Sequence, residues 1–193
     1  DFASFASLFR FSDESKAGTG RARSVRDIRR LKAEGRLSHI SGWQSAGGLI
    51  VGGEPQLGNL RAYREVGLRI CGISYNLTDP FGGGCLEPDA GLSRAGHRLV
   101  EAIHKENLVL DIAGHTNEKT SFAALAISSG VPVICSHTNV RALNDNPRCT
   151  TDAMFEAIAR TGGVVGVTAF SDFHVRKASD AKLVRSPQAS LDR

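Results

Sequence analysis

Residues 108–116 read LVLDIAGHT, and residues 131–139 read VPVICSHTN. Each stretch is a short apolar run, typical of a buried strand, that ends in a histidine and a polar turn. In a parallel α/β barrel the carboxyl ends of the strands meet at one rim, where the chemistry takes place. Because imidazole is a good zinc ligand, we expect His115 and His137 to converge on one metal ion. Taken alone, either histidine is more often a satisfied polar residue at a strand end.

Apolar runs alternate with helical patterns along most of the chain. The periodicity predicts five strands and a further short apolar run, and it predicts five helices between them. The strands are 37–43, 68–75, 108–113, 131–136 and 164–170, the short run is 49–51, and the helices are 24–34, 57–66, 92–106, 118–129 and 151–161.

This alternation predicts an α/β fold in which helices cover a parallel sheet, of the (β/α)8 TIM-barrel type. A closed eight-stranded barrel takes roughly 250 residues. The 193-residue chain is therefore expected to form a single domain over residues 1–193 with five to six βα units of an incomplete barrel. An open doubly wound sheet is the alternative, although no Gly-x-Gly-x-x-Gly follows the first strand.

Composition narrows the class of protein. The net charge is +4, but the basic residues are spread along the chain, so we expect no nucleic-acid partner. No apolar stretch approaches about 18 residues, so we expect no segment in a membrane. The four cysteines form no Cys-x-x-Cys pair, and a reducing, cytoplasmic location is the simplest expectation.

Further candidate site residues lie near the predicted strand ends. Asp111 leads into the first histidine turn and is a candidate catalytic residue that orients an imidazole; the alternative is a carboxylate that binds loop amides. Gln44 follows the first strand and is a candidate metal ligand, although a neutral amide supplies no charge to hold two cations. Arg148 follows the strand predicted at 131–136, where a guanidinium could bind a substrate carboxylate through bidentate hydrogen bonds. Tyr75 and Asn76 end their strand and are candidate substrate-binding residues at the same rim.

Several motifs, in order, resemble the membrane (renal) dipeptidase family of zinc peptidases. The stretch 110–116, LDIAGHT, is similar to the family's Asp-Leu-Ser-His-Thr, and 134–143, ICSHTNVRAL, is similar to its Phe-Ser-His-Ser-Asn-x-Arg-Ala-Leu. The resemblance covers roughly residues 24–170, and its other matching runs are GLRICGISYN at 67–76, GCLEPDAGLSRAG at 84–96, NPR at 146–148, TTD at 150–152 and TGGVVGV at 161–167.

The resemblance implies a (β/α)8 barrel whose two zinc ions serve dipeptide hydrolysis, in an enzyme that is often a homodimer. It implies that His115 and His137 bind one zinc, that Arg148 holds the C-terminal carboxylate of the substrate, and that Gln44 occupies the position of a bridging glutamate. Tyr75 stands where many members have a histidine that polarises the substrate carbonyl, so the resemblance makes Tyr75 a second candidate catalytic residue.

The sequence departs from the family pattern in its ligand set. It lacks the family's N-terminal His-x-Asp and its final strands, and Gly114 is an extra residue between Asp111 and His115. Two hypotheses follow. The chain is either part of a zinc-dependent dipeptidase-like hydrolase, with one zinc or none bound by this chain alone, or a degenerate or truncated homologue that acts as a non-catalytic binding or scaffold module.

Overall fold

The centre of the molecule is a five-stranded sheet in which all strands run parallel. The computed structural model describes residues 18–88 and 90–174. In chain order the strands are β1 (Thr19–Arg21), β2 (Leu37–His39), β3 (Ser41–Trp43), β4 (Ile50–Val51), β5 (Glu54–Pro55), β6 (Leu68–Gly72), β7 (Val109–Asp111), β8 (Val133–Thr138) and β9 (Val164–Val167). The helices are α1 (Val25–Ala33), α2 (Leu60–Val66), α3 (Arg94–Lys105), α4 (Glu118–Ile127) and α5 (Asp152–Arg160), with 3₁₀ turns at Ala46–Leu49, Leu57–Asn59 and Ser171–Phe173.

The order of strands across the central sheet is β3-β6-β7-β8-β9, which is also their order along the chain. Helices α2 to α5 each connect one of these strands to the next. A doubly wound sheet reverses its order at a switch point, and this sheet does not. The predicted α/β fold of the barrel type is confirmed, and the open doubly wound alternative is excluded for the described residues.

Polar side chains start three of the helices at the predicted places. Ser24, Ser93 and Asn117 each accept a hydrogen bond from the backbone N–H three residues later. Such a bond satisfies one of the four N–H groups that the first helical turn leaves without a partner, and it is worth about 1 kcal/mol. The sequence signal for each helix start is therefore local, which explains why α1, α3 and α4 begin within two residues of their predicted starts.

The hydrophobic core lies between the strands and the inner faces of the helices. The residues Leu68, Leu110 and Val133 of the strands and Leu99 and Ile158 of the helices are almost completely buried, with at most 1% of their surface exposed. Burying a leucine or valine side chain contributes roughly 1.5–3 kcal/mol.

The four cysteines of the chain are all free. Cys71 and Cys135 are buried in the strands, where burial raises the pKa of each thiol to about 12. Both thiols therefore remain protonated and pack as small hydrophobic groups. Among the helices of residues 18–88 and 90–174, none combines the length and the hydropathy needed to cross a membrane.

Several segments differ from the sequence prediction, among them the strand predicted at 68–75, which ends at Gly72 and leaves Tyr75 in the following loop. The single strand predicted at 37–43 is divided, because β2 pairs with β1 whereas β3 pairs with β6, and the exposed Ile40 lies at the change of partner. β1 itself has no counterpart in the prediction. The helix predicted at 57–66 begins with a 3₁₀ turn, and regular α-helix starts at Leu60.

Candidate active site

His115 and His137 lie side by side at the carboxyl end of the sheet. Their ring centroids are 4.7 Å apart and the ring planes meet at 70°. His137 is the next-to-last residue of β8, whereas His115 follows β7 by four residues and is only 2% exposed. The two histidines are therefore adjacent, as the sequence predicts. His115, however, lies in the turn after β7 and not in the strand.

The turn after β7 is built from two residues with positive φ. Ala113 has φ +23° and Gly114 has φ +66°. A Cβ atom on Gly114 would lie 2.6 Å from the carbonyl oxygen of Arg148, so only glycine allows this approach. The extra glycine thus redirects the chain and places His115 beneath the Arg148 loop.

Asp111 fixes this turn to the neighbouring strand. Its Oδ1 accepts hydrogen bonds from the backbone N–H groups of Ala113 (2.9 Å) and Ser136 (3.0 Å). Among the described contacts, the carboxylate binds these amides and not an imidazole nitrogen, which corrects the expectation that Asp111 orients a ring through a hydrogen bond. Its influence on the histidines is through the backbone and, for His137, through charge.

The two nitrogens of His115 have different surroundings. Nδ1 lies 3.0 Å from Oδ1 of Asn76, whereas Nε2 is buried and has no hydrogen-bond partner. Burial, and secondly the charges of Arg148 and His137, lower the pKa of His115 to about 3. The ring is neutral near neutral pH, and a neutral imidazole with an available nitrogen is what a metal ligand requires.

His137 is half-buried, and its surroundings also favour the neutral form of the ring. Burial lowers its pKa, and the Arg148 charge adds to this effect while Asp111 opposes it. Nδ1 lies 2.8 Å from the hydroxyl of Ser136, and Nε2 lies 3.5 Å from the side-chain nitrogen of Gln44. The backbone of Gln44 passes close to Gly72, where a Cβ atom would lie 2.1 Å from the Gln44 carbonyl oxygen.

Arg148 is held beside His115 by fixed contacts. Its Nε donates to the carbonyl of Gly114 (2.9 Å) and its Nη1 to Oδ1 of Asn76 (3.0 Å). The guanidinium carbon lies 5.2 Å from the ring centroid of Phe173, within the range of a cation–π contact. A guanidinium has five N–H donors, and these two bonds leave three for a ligand.

Tyr75 and Asn76 follow β6 and complete the rim. The Tyr75 ring is 47% exposed and its centroid lies 4.2 Å from that of His115, at an angle of 33°. Asn76 has φ +62°, and its backbone N–H donates to the carbonyl of His115 (3.2 Å). All the residues singled out from the sequence thus lie around the two histidines, and their roles in metal or substrate binding stay predictions.

The contacts of Ser136 and Phe173 were not anticipated. Ser136 directly precedes His137, and this adjacency is the only sequence signal that could have indicated their contact. Phe173 lies 25 residues beyond Arg148 in the chain, and no sequence pattern connects the two. Such contacts depend on how the loop of Arg148 and the 3₁₀ turn Ser171–Phe173 pack together.

A protein-family model matches most of the chain. Residues 10–192 match the family described as Membrane dipeptidase (Peptidase family M19). The chain belongs to this family. The match spans nearly the whole sequence, whereas the motifs that carried the resemblance lie within residues 24–170.

The relatives that this chain matches are substantially longer than it is. A protein of the pqqA 5′ region of Klebsiella pneumoniae is 33% identical over 170 residues, which is 83% of this chain and 60% of the relative. A dipeptidase of Schizosaccharomyces pombe is 30% identical over 134 residues, covering 66% of this chain and 31% of the relative. The chain thus spans from 31% to 60% of the length of these relatives.

Solved structures share the fold of this chain. An amidohydrolase from Pseudomonas aeruginosa superposes with a TM-score of 0.81 at 26% identity, covering 99% of this chain and 57% of that one. A metallopeptidase from Rhodobacter sphaeroides, solved with a phosphinate mimic of the dipeptide L-Ala-D-Ala, superposes with a TM-score of 0.77 at 25% identity, covering 100% and 57%.

Membership in a metallopeptidase family implies a metal ion. The described residues supply part of the ligand set that one ion needs. The unpartnered, buried Nε2 of His115 and the adjacent ring of His137 supply two neutral imidazole donors. Within residues 18–88 and 90–174, no third histidine, cysteine or carboxylate joins them to form a group that could hold a metal. The neutral side-chain amide of Gln44 lies 3.5 Å from Nε2 of His137.

Proposed function

We propose that this chain carries part of the metal and substrate site of a zinc-dependent dipeptidase. The observation that carries the proposal is the buried Nε2 of His115, which has no partner and whose ring lies 4.7 Å from that of His137. Burying a polar nitrogen without a partner costs free energy, roughly 1–3 kcal/mol, which a bound ligand would recover. Imidazole nitrogens are preferred zinc ligands.

His115 and His137 would hold the zinc ion. Both rings favour the neutral form, so zinc would displace no proton from His115 at neutral pH. Zinc, when bound, supplies Lewis acidity and lowers the pKa of water. The chain's own residues hold the two rings in place: Asp111 through the β7 turn, and Ser136 through its contact with Nδ1 of His137.

Arg148 would bind the C-terminal carboxylate of a dipeptide. Its remaining N–H donors match the geometry of a carboxylate, and its fixed position avoids the entropy cost of ordering a free arginine. The exposed ring of Tyr75 would line the same space next to His115. The dipeptide mimic bound by the Rhodobacter sphaeroides relative supports a dipeptide as the substrate class.

A non-catalytic binding module is the second candidate function. It is favoured by one observation, that no carboxylate joins the two histidines within the described residues. A catalytic zinc usually has about three protein ligands, and here only His115 and His137 are good ones. We therefore expect the 193-residue chain alone to bind one zinc and to hydrolyse dipeptides weakly or not at all. The free cysteines support the cytoplasm as the proposed location.

The test is the zinc content of the chain purified without chelator, read beside dipeptide hydrolysis. We expect one zinc in the wild type, and its loss in His115→Ala and in His137→Ala. The exposed His97 provides the control, since His97→Ala should retain the metal. A wild-type chain that binds no zinc would contradict the proposal and favour the binding module.

A further inference from the structure

The side-chain carbonyl of Asn76 is shared by three other residues. Its Oδ1 lies 3.0 Å from Nδ1 of His115, 3.0 Å from Nη1 of Arg148 and 3.6 Å from the thiol of Cys85. One acceptor thus links a candidate metal ligand to the candidate carboxylate-binding arginine, although the two belong to different loops.

The chemistry of Arg148 determines the polarity of this cluster. A guanidinium is always protonated in proteins and can only donate, so the atom of Asn76 that faces it must be the carbonyl oxygen and not the amide nitrogen. A carbonyl oxygen can only accept. The Nδ1 of His115 must therefore carry the proton, which leaves Nε2 of the neutral ring with its lone pair.

The backbone of Asn76 reinforces this arrangement. Its N–H donates to the carbonyl of His115, so Asn76 contacts that residue through both main chain and side chain. Its φ of +62° is a left-handed conformation that asparagine adopts more readily than most residues. Gly84 packs against it so closely that a Cβ atom there would lie 2.2 Å from the Asn76 carbonyl.

We propose that Asn76 is a positioning residue that locks His115 in the Nδ1–H tautomer and so presents an unprotonated Nε2 to the metal, while it holds Arg148 alongside. The inference deepens the proposed function and rests on it for the identity of the ligand that Nε2 receives. The tautomer itself follows from contacts within the chain and is measurable without metal.

The first test is long-range ¹H–¹⁵N NMR of the histidine rings in the metal-free 193-residue chain, because it distinguishes protonated from unprotonated ring nitrogens. In the wild type we expect a protonated Nδ1 and an unprotonated Nε2 on His115. Asn76→Ala should give a mixture of tautomers. Asn76→Asp, which retains the acceptor, should restore the wild-type tautomer.

The matched control is Asn107→Ala. Asn107 also has positive φ, +53°, and is exposed, so the substitution carries a similar backbone cost outside the site. It should leave the His115 tautomer unchanged. A protonated Nε2 in the wild type, or an unchanged tautomer in a folded Asn76→Ala variant, would overturn the inference; the wild-type spectrum decides even where Asn76→Ala does not fold.

A zinc titration separates this inference from the proposed function. Asn76→Ala should weaken zinc binding by about 10- to 100-fold, as is typical for loss of a group that orients a metal ligand, and Asn76→Asp should recover most of it. If the wild type shows the expected tautomer and binds no zinc, the metal function fails and the role of Asn76 in fixing the ring stands. If zinc binds equally well to both variants and the wild type, Asn76 does not position the ligand.

Discussion

The side-chain nitrogen of Gln44 lies 3.5 Å from Nε2 of His137, although their strands are not neighbours in the sheet. Gln44 directly follows β3, and β6 and β7 lie between β3 and β8. With strands roughly 4.8 Å apart, a flat sheet would separate β3 from β8 by about 14 Å. The two long side chains bridge this distance, and the inward curl of a barrel wall would bring them together.

Because Gln44 is that close to His137, a carboxylate at position 44 should strengthen metal binding. We expect Gln44→Glu to raise zinc affinity by about tenfold or more, since a charged oxygen ligand would join the two imidazoles. A competition titration with a chromophoric chelator measures this. The exposed Gln56 offers the control: Gln56→Glu adds the same charge away from the rim and should have little effect.

Arg148 should discriminate between free and blocked dipeptide carboxyl groups. We expect Arg148→Ala to weaken binding of a dipeptide by about 10- to 100-fold, the range for loss of a charge-assisted hydrogen bond, and binding of its amide far less. Calorimetry on both ligands measures the difference. Arg160→Ala, on the exposed end of α5, should change neither affinity. Equal losses for both ligands would remove Arg148 from carboxylate recognition.

The buried, neutral state of His115 makes the stability of the fold depend on pH. Its pKa falls from 6.5 in the unfolded chain to about 3 in the folded protein. Between these values the unfolded chain binds more protons, so the stability that is present above pH 6.5 is lost as the pH falls towards 3. The pKa of His137 is lowered as well and adds to this loss.

Urea unfolding across this pH window measures the effect in the metal-free chain. His115→Gln should flatten the dependence, because the titrating group is gone. The exposed His97→Gln should retain the wild-type dependence. A wild-type stability that is constant from pH 6.5 to pH 3 would contradict the prediction.

Gly84 should be intolerant of any side chain. A Cβ atom there would lie 2.2 Å from backbone atoms of Asn76, which cannot move as easily as a flexible side chain. We expect Gly84→Ala to cost about 1–3 kcal/mol of the free energy of unfolding and to weaken zinc binding together with it. Gly58→Ala is the control, because nothing lies within 4 Å of a Cβ atom at that position.

Local patterns were sufficient to predict much of the fold. The helical spacing of apolar residues identified the helices, and apolar runs identified the strands of the central sheet. The pair His115 and His137 was found because the apolar runs of two successive strands each lead into a histidine. In each case the deciding interaction lies within a few residues of sequence or follows from the rule that parallel strands end at one rim.

The features that escaped prediction depend on contacts distant in sequence. The division of the strand at Ile40 follows from a change of pairing partner, which the apolar pattern of 37–43 does not encode. The carbonyl of Asn76 receives Nη1 of Arg148 from 72 residues away in the chain. The carboxylate of Asp111 binds loop amides, and only the geometry of the β7 turn decides between that role and contact with a ring.

The shared carbonyl of Asn76 also makes the two halves of the site thermodynamically dependent on each other. An anion that draws the guanidinium of Arg148 away would leave Nδ1–H of His115 as the donor to this carbonyl. A cation bound to Nε2 would make Nδ1–H a stronger hydrogen-bond donor to the same oxygen. Coupling between two ligands is reciprocal, so the factor by which the cation changes the affinity for the anion is also the factor by which the anion changes the affinity for the cation. A single amide can thereby make cation and anion cooperate with no change in the fold.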